Sequence, residues 1–372
     1  MRLIVALLLA ASTGGGITPE ALEVASEEPR PGAQWVQADA QGRVVLLDSE
    51  DLVVRSLRNG EFGDPGRLKQ AALVEGVVRI AARSRSGDGW LLYAPPGGLR
   101  YFRGDEEQGL PNPDWVITSV GLHDDRPIIA VKPVNPGRLR SPGFRSPDTP
   151  PLILGLAGDE WETVLERRDL ADDDIHHLDT AMVFATDSKR NLWAAHRYRY
   201  RVYQISPAGK LHFTLEVDGG KPVPDEATDE EREAATEALR EEARAAGIPL
   251  EGATVTPAMQ KPIINGITVG RDGNLYLFLP RAVEGSPGLD RYNPYANTLE
   301  RLPLHLEYHG FVSMAAAREG LILAGYGTST GIWLIPWERL DAARWTPVDE
   351  ATGDGLPLPP VDKPPVVSHR MP

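Results

Sequence analysis

The sequence predicts an all-β fold, a six-bladed β-propeller of four-stranded antiparallel blades. Three observations carry the prediction. One strand–turn–strand pattern recurs six times, its turns are rich in Gly, Asp, Asn and Pro, and no long helical pattern separates consecutive strands. The pattern is clearest in "AMVFATDSKRNLWAAH", where an apolar strand meets the polar turn "DSKRN" and a second strand leaves it. It recurs in "GITVGRDGNLYLFL", turning at Arg271, Asp272, Gly273 and Asn274, and in "WVQADAQGRVVLLD", turning at Gln41 and Gly42. Asp-Gly and Gly-Asn pairs tolerate the positive φ that tight hairpins demand.

Marking the start of each post-turn strand gives Val44, Trp90, Ile128, Leu192, Leu275 and Leu321, at intervals of 46, 38, 64, 83 and 46 residues. A four-stranded blade recurs at roughly 40–45 residues, so three intervals fit one blade each and two carry insertions. A third strand follows in "LVVRSL", "GLRYF", "PLILGL", "RVYQIS", "LDRYN" and "GIWLIP". A fourth is visible in "WETVL", "LHFTLEV" and "TLERLPL", and is weak in the first two copies. Repetition at this period implies a radial arrangement rather than a sandwich.

In chain order, residues 1–13 read as a signal peptide: Arg2, a short apolar run, then small residues. The expected location is therefore secreted or periplasmic. Residues 14–32 form an N-terminal segment, and "ALEVAS" at 21–26 is favoured to come round and supply the ring-closing strand. Residues 345–348 are the alternative. The propeller spans 33–348. Within it, 218–262 is an insertion between blades four and five, with one helix opened by Thr228 and Glu231 as a capping pair and stopped at Gly247. Its thin stripe of Ala235, Ala238, Leu239, Ala243 and Ala246 suits either a light lid or a solvated insertion. Residues 349–372 are a Pro-rich tail that should run extended.

Composition narrows the function classes. Hydrophobic residues at 41% support a substantial core, and no stretch beyond the N-terminal run approaches the length of a membrane span. A net charge of −14 argues against sequence-independent binding of nucleic acid, which needs a broad basic surface. There is no Cys, so core packing must supply stability without disulfides. A monomer is expected.

Up-and-down connectivity sorts the loops onto two faces. The second-to-third connections and the crossings between blades share one face, and every long segment falls there: 132–151, 166–181, 196–200, 218–262 and 307–311. Loops on a rigid scaffold are where binding groups usually sit. The ligand candidates on that face are Arg138, Arg140, Arg145, His176, His177, His196, Arg197, Tyr198, Arg199, Lys261, Asn265, Tyr308 and His309. In a bare hairpin, "HRYRY" would send His196, Tyr198 and Tyr200 one way and the arginines the other. "DDDIHH" suggests a metal, but adjacent His176 and His177 point oppositely in an extended chain, and no metal is assigned there. No Ser-His-Asp arrangement, phosphate-cradling Gly loop or HExxH helix is present, and no catalytic residue is assigned.

The motifs "DGNLYLFL" and "RNLWAAH", followed by "YRVYQISPAGKL", resemble blades of NHL-like and related bacterial six-bladed propellers, over a span from about Trp35 to about Val348. The resemblance implies a binding platform, with some relatives being hydrolases or lyases. "INGITVGRDGNLY" is also similar to a segment of gluconolactonase (SMP-30-type) propellers, whose Asn ligates a divalent metal, and Asn265 stands at that position. The acids that family places at two other inner strands have "GAQW" and "GFVSM" as counterparts here, and Asp179 is out of register. The leading expectation is an exported binding module without a cofactor, taking an anionic or glycan-like small molecule or a partner protein. The alternative is a metal-dependent hydrolase or lactonase using a divalent ion such as calcium with Asn265 as one ligand.

Overall fold

The computed structural model describes residues 17–21, 34–39, 41–48, 52–58, 61–64, 66–68, 74, 78, 80–84, 86–94, 98–113, 115–132, 151–166, 181–217, 223–224, 233, 236–237, 240, 260–283, 286–306, 311–326 and 331–348. The chain folds as a six-bladed β-propeller. Numbering strands outward from the centre, the inner strands are Gln34–Ala38, Ile80–Arg83, Val116–His123, Met182–Thr186, Gly266–Val269 and Phe311–Ala316. The second strands are Val44–Asp48, Gly89–Ala94, Arg126–Lys132, Leu192–His196, Leu275–Val283 and Gly320–Tyr326. Blades two, three and four have four antiparallel strands each. In blade one the outer positions are filled by two-residue pieces, Glu61–Phe62 and Gly66–Arg67, both paired to Val53–Arg58.

Local chemistry explains the inner hairpins. In blades one, two, four and five the turn closes with a backbone bond back to its first residue, from Gly42 to Asp39, Gly87 to Ser84, Arg190 to Asp187 and Gly273 to Gly270. The fourth residue takes positive φ, which glycine supplies without steric cost at 42, 87 and 273. Blade four has Arg190 there at φ 64°. It is held in place from blade three: His123 Nε2 donates to the Arg190 carbonyl (2.8 Å) and the Arg190 guanidinium meets Asp124 (3.0 Å).

Second strands have neighbours on both faces, so their side chains read as continuous apolar runs; Leu192–His196 is buried throughout. The core is divided among the blade interfaces. Trp35, Trp90 and Phe102 pack between blades one and two, Tyr101 and Ile129 between two and three, Ile128 and Tyr203 between three and four. Trp193 and Tyr292 fill the space between four and five, Phe278 and Trp337 between five and six, and Val36, Ile322 and Ile332 between six and one. Serine side chains also link inner strands: Val36 N donates to Ser313 Oγ (2.7 Å) across blades one and six, and Met182 N to Ser119 Oγ (2.9 Å) across four and three.

The outer strand of blade six is Glu20–Ala21, antiparallel to Gly331–Pro336. Upstream, Ile17 N donates to Pro303 O (3.0 Å), His305 N donates to Ile17 O (2.9 Å), and Arg339 Nη1 donates to Thr18 O (3.0 Å). The chain after blade six forms one short helix, Trp337–Ala342, and then Thr346–Pro347, which adds a fifth strand to blade five rather than completing blade six. Of the 218–262 insertion, the described ends form a two-stranded ribbon, Val223–Pro224 with Gln260–Lys261. The expected helix lies outside the described residues, apart from Glu233, Thr236, Glu237 and Arg240. The signal peptide and the C-terminal tail lie outside them entirely.

Candidate functional site

The inner strands enclose a central channel of about 820 Å³. It runs from Trp35, Arg197 and Asn265 at the strand starts to Gln41, Arg271 and Arg318 at the hairpin turns. Between these ends its wall is small and mostly neutral: Ala81, Gly121, Ala185 and Ala315 alternate with Gln37, Thr118 and Thr268. Small residues are what six converging strands leave room for. A Cβ at Gly121 would lie 2.8 Å from the Phe184 ring of the next blade. No group of three or more His, Cys, Asp or Glu comes together among the described residues.

The strand-start mouth is the face where the long segments attach, since Lys132, Pro151, Glu166 and Ala181 all end there. Here the run from His196 to Arg201 is more than a hairpin tip. The Arg197 carbonyl accepts from both Ile263 N (2.7 Å) and Ile264 N (3.1 Å), binding blade four to the entry of blade five. The Arg197 side chain enters the channel wall, where Nη2 donates to Asn265 Oδ1 (2.7 Å). Asn265 is 1% exposed and its backbone N–H donates to Phe278 O (2.9 Å). The two residues that sequence singled out for different reasons thus form one pair.

The bare-hairpin alternation is corrected by the structure. Residues 197–200 are turn residues rather than strand, so side-chain direction does not simply alternate. His196 is buried and its Nδ1 accepts from Tyr198 N (3.1 Å). Arg197 and Arg199 are half-buried, and Arg201 pairs with Glu216 on the neighbouring strand. Tyr200 turns inward, away from the channel, and its hydroxyl donates to Asp290 Oδ2 (2.6 Å) in blade five. Asp290 accepts as well from Arg301 Nε (2.7 Å) and Nη2 (2.8 Å). Burial, then the adjacent Asp290 charge, push the Tyr200 hydroxyl well above its ordinary pKa, so it stays a donor. For Arg301, burial works against the charge, but the two bonds to Asp290 outweigh it and raise its pKa.

Other sequence candidates separate. Lys261 lies in the two-stranded ribbon, and its backbone alone is described. Arg138, Arg140, Arg145, His176, His177, Tyr308 and His309 lie outside the described residues.

No protein-family model and no curated protein sequence matches the chain. Solved structures do resemble it. A streptogramin B lyase aligns with a TM-score of 0.42 at 14% identity, over 84% of this chain and 78% of that one. A virginiamycin B lyase from Staphylococcus aureus, in a structure with quinupristin, gives 0.44 at 11%, over 85% and 98%. YCF48 bound to D1 peptide gives 0.40 at 9%, over 89% and 86%. The likeness is one of fold. At this level it says nothing about activity.

Sequence reasoning missed the opposite mouth. Arg83, Arg271, Arg318 and the 64% exposed Tyr295 surround the channel where the hairpins turn. The signal was available: Arg271 and Arg318 each stand in a first-to-second turn, but those turns are short and looked structural.

Proposed function

We propose that this protein is an exported binding module that takes an anionic, glycan-like ligand at the strand-start mouth of its channel. The observation that carries the reading is the Arg197 guanidinium on the channel wall, oriented by Asn265 at 2.7 Å. A guanidinium held by an amide oxygen keeps its planar fork aimed, which suits a carboxylate or phosphate. The channel behind it offers neutral hydroxyl and amide groups, Gln37, Thr118 and Thr268, that match sugar hydroxyls. The long segments anchored around this mouth fit a surface devoted to recognition. Pairing of Asn265 with a guanidinium disfavours the metal-dependent alternative, because a cation already holds the oxygen that a metal would need.

The test uses galacturonate as a carboxylated sugar, titrated calorimetrically into the full chain. Wild-type protein should bind it, and Arg197→Gln should weaken binding at least ten-fold. Arg197→Lys should fall between, since an ammonium keeps charge without the fork. The blade-bridging bonds at this position come from the backbone, so the fold should survive both substitutions. No heat signal with wild-type protein, or equal affinity in Arg197→Gln, overturns the reading.

A further inference from the structure

Arginines stand at both mouths of the channel. At the hairpin-turn mouth three acids are near, and each is used by its own turn. Asp39 accepts from Gln41 N, Arg43 N and Arg43 Nε, and Asp187 accepts from Lys189 N, Asn191 N and Asn191 Nδ2. Asp272 accepts from Asn274 N, Asn274 Nδ2 and the Tyr276 hydroxyl. The cations of the same mouth are differently placed. Arg318 is exposed and has no hydrogen bond or ion pair to another described residue. Arg271 meets Asp341 at 3.2 Å with both side chains more than half exposed, a contact that water and salt screen. Tyr295 stands at this rim with the Lys189 ammonium 5.1 Å from its ring centre. On a chain of net charge −14, this rim holds two exposed arginines, Arg271 and Arg318, beside acids that its turns already use as hydrogen-bond acceptors.

Dimensions restrict what reaches from one mouth to the other. The inner strand Met182–Thr186 has five residues, so the channel is roughly 16 Å long at about 3.3 Å per residue. A single ligand that touches both mouths must therefore span roughly that length.

We propose that the channel binds a linear acidic oligosaccharide, a chain of uronic acids whose carboxylates meet Arg197 at one mouth and Arg271 and Arg318 at the other. The assignment rests on the reading that Arg197 holds a carboxylated sugar. Neutral wall groups, Gln37, Thr118 and Thr268, meet the hydroxyls of the intervening sugars. Two linked contacts give affinity that neither gives alone, because the second forms at high effective concentration.

The experiment compares galacturonate, hexagalacturonate and polyglutamate by calorimetry on the full chain. The hexamer should bind at least ten-fold more tightly than the single sugar. The double substitution Arg271→Gln with Arg318→Gln should bring the hexamer close to the single sugar while leaving the single sugar's affinity unchanged. Arg197→Gln should weaken both. Both side chains are exposed, and Arg271 touches the core only where its guanidinium lies over the Trp337 ring (5.3 Å), so urea unfolding of the double variant should show an intact cooperative transition. A hexamer no tighter than the single sugar, or one unaffected by the double substitution, overturns the through-channel assignment and leaves the Arg197 site standing. Polyglutamate binding as tightly as the hexamer overturns the oligosaccharide in favour of an acidic peptide. Failure of both sugars to bind wild-type protein removes the Arg197 reading and this one with it.

Discussion

Replacing Tyr200 by Phe removes one oxygen from the interior and nothing else, which makes it a clean probe of the blade four–blade five interface. That oxygen lies 2.6 Å from Asp290 Oδ2, and Asp290 is fully buried beside Arg301, itself 5% exposed. A hydrogen bond to a charged group contributes about 1.5–3 kcal/mol, and without it the carboxylate depends on Arg301 alone. At about 2 °C per kcal/mol for a chain of this size, Tyr200→Phe should lower Tm by about 3–6 °C. Asp290→Ala should cost more, about 3–5 kcal/mol, because it leaves Arg301 charged and buried without its partner. The assay is urea unfolding with unchanged m, run on both single variants and the double. Once Asp290 is gone the hydroxyl has no anion to serve, so the double variant should match Asp290→Ala within about 0.5 kcal/mol. If Tyr200→Phe costs under 0.5 kcal/mol, or the two costs simply add, the network is not what joins these blades.

Three further outcomes are expected. Removing residues 17–21 deletes the outer strand of blade six, two hydrogen bonds to the end of blade five and one to the helix, so stability should fall by about 3–5 kcal/mol; a loss below 1 kcal/mol in urea unfolding shows that the ring closes without it. Burial, the largest influence, depresses the pKa of His123, which donates to Arg190 O, so the folded chain resists the proton that the unfolded chain accepts near the ordinary value of about 6.5. Its contribution is therefore present above that pH and lost as pH falls toward the folded value; His123→Gln should flatten the acid limb of the stability curve, and an identical limb refutes the assignment. Calcium at millimolar concentration should leave Tm unchanged, whereas a specific site at 100 times its Kd would add about 2.7 kcal/mol and a shift that a chelator removes.

Repetition made the fold legible. Strand starts at Val44, Leu192 and Leu275 follow directly from the Gly- and Asp-bearing turns before them, because those turns are local and their chemistry is written in adjacent residues. Glu20–Ala21 and Thr346–Pro347 are two-residue pairings with partners far along the chain, too short to carry any periodic pattern. The site was legible in part. Arg197 and Asn265 stood out individually, but their pairing depends on how blade four meets blade five. Tyr200 looked like one more aromatic in a basic run, since Asp290, ninety residues on, sits in a strand with no mark of its role. The turn-side arginines were hidden for the opposite reason: their segments are short, and loop length was the cue being followed.

Glu20 pairs with Leu334, roughly 310 residues away, so the last circumferential contact cannot form until nearly the whole chain has left the ribosome. The blades themselves are built from hairpins whose partners are close in sequence, and these can collapse as they emerge. Contacts of such long separation are slow to find, and until they do the nascent arc carries an open edge capable of pairing with another copy. We expect closure to be the slow step of folding. Substitutions along residues 17–21 should then leave the refolding rate almost untouched while accelerating unfolding if closure comes after the barrier, and slow refolding if closure is the barrier itself. The second outcome is the one this circular topology demands; the first would mean that the ring assembles without its clasp and is only locked by it afterwards.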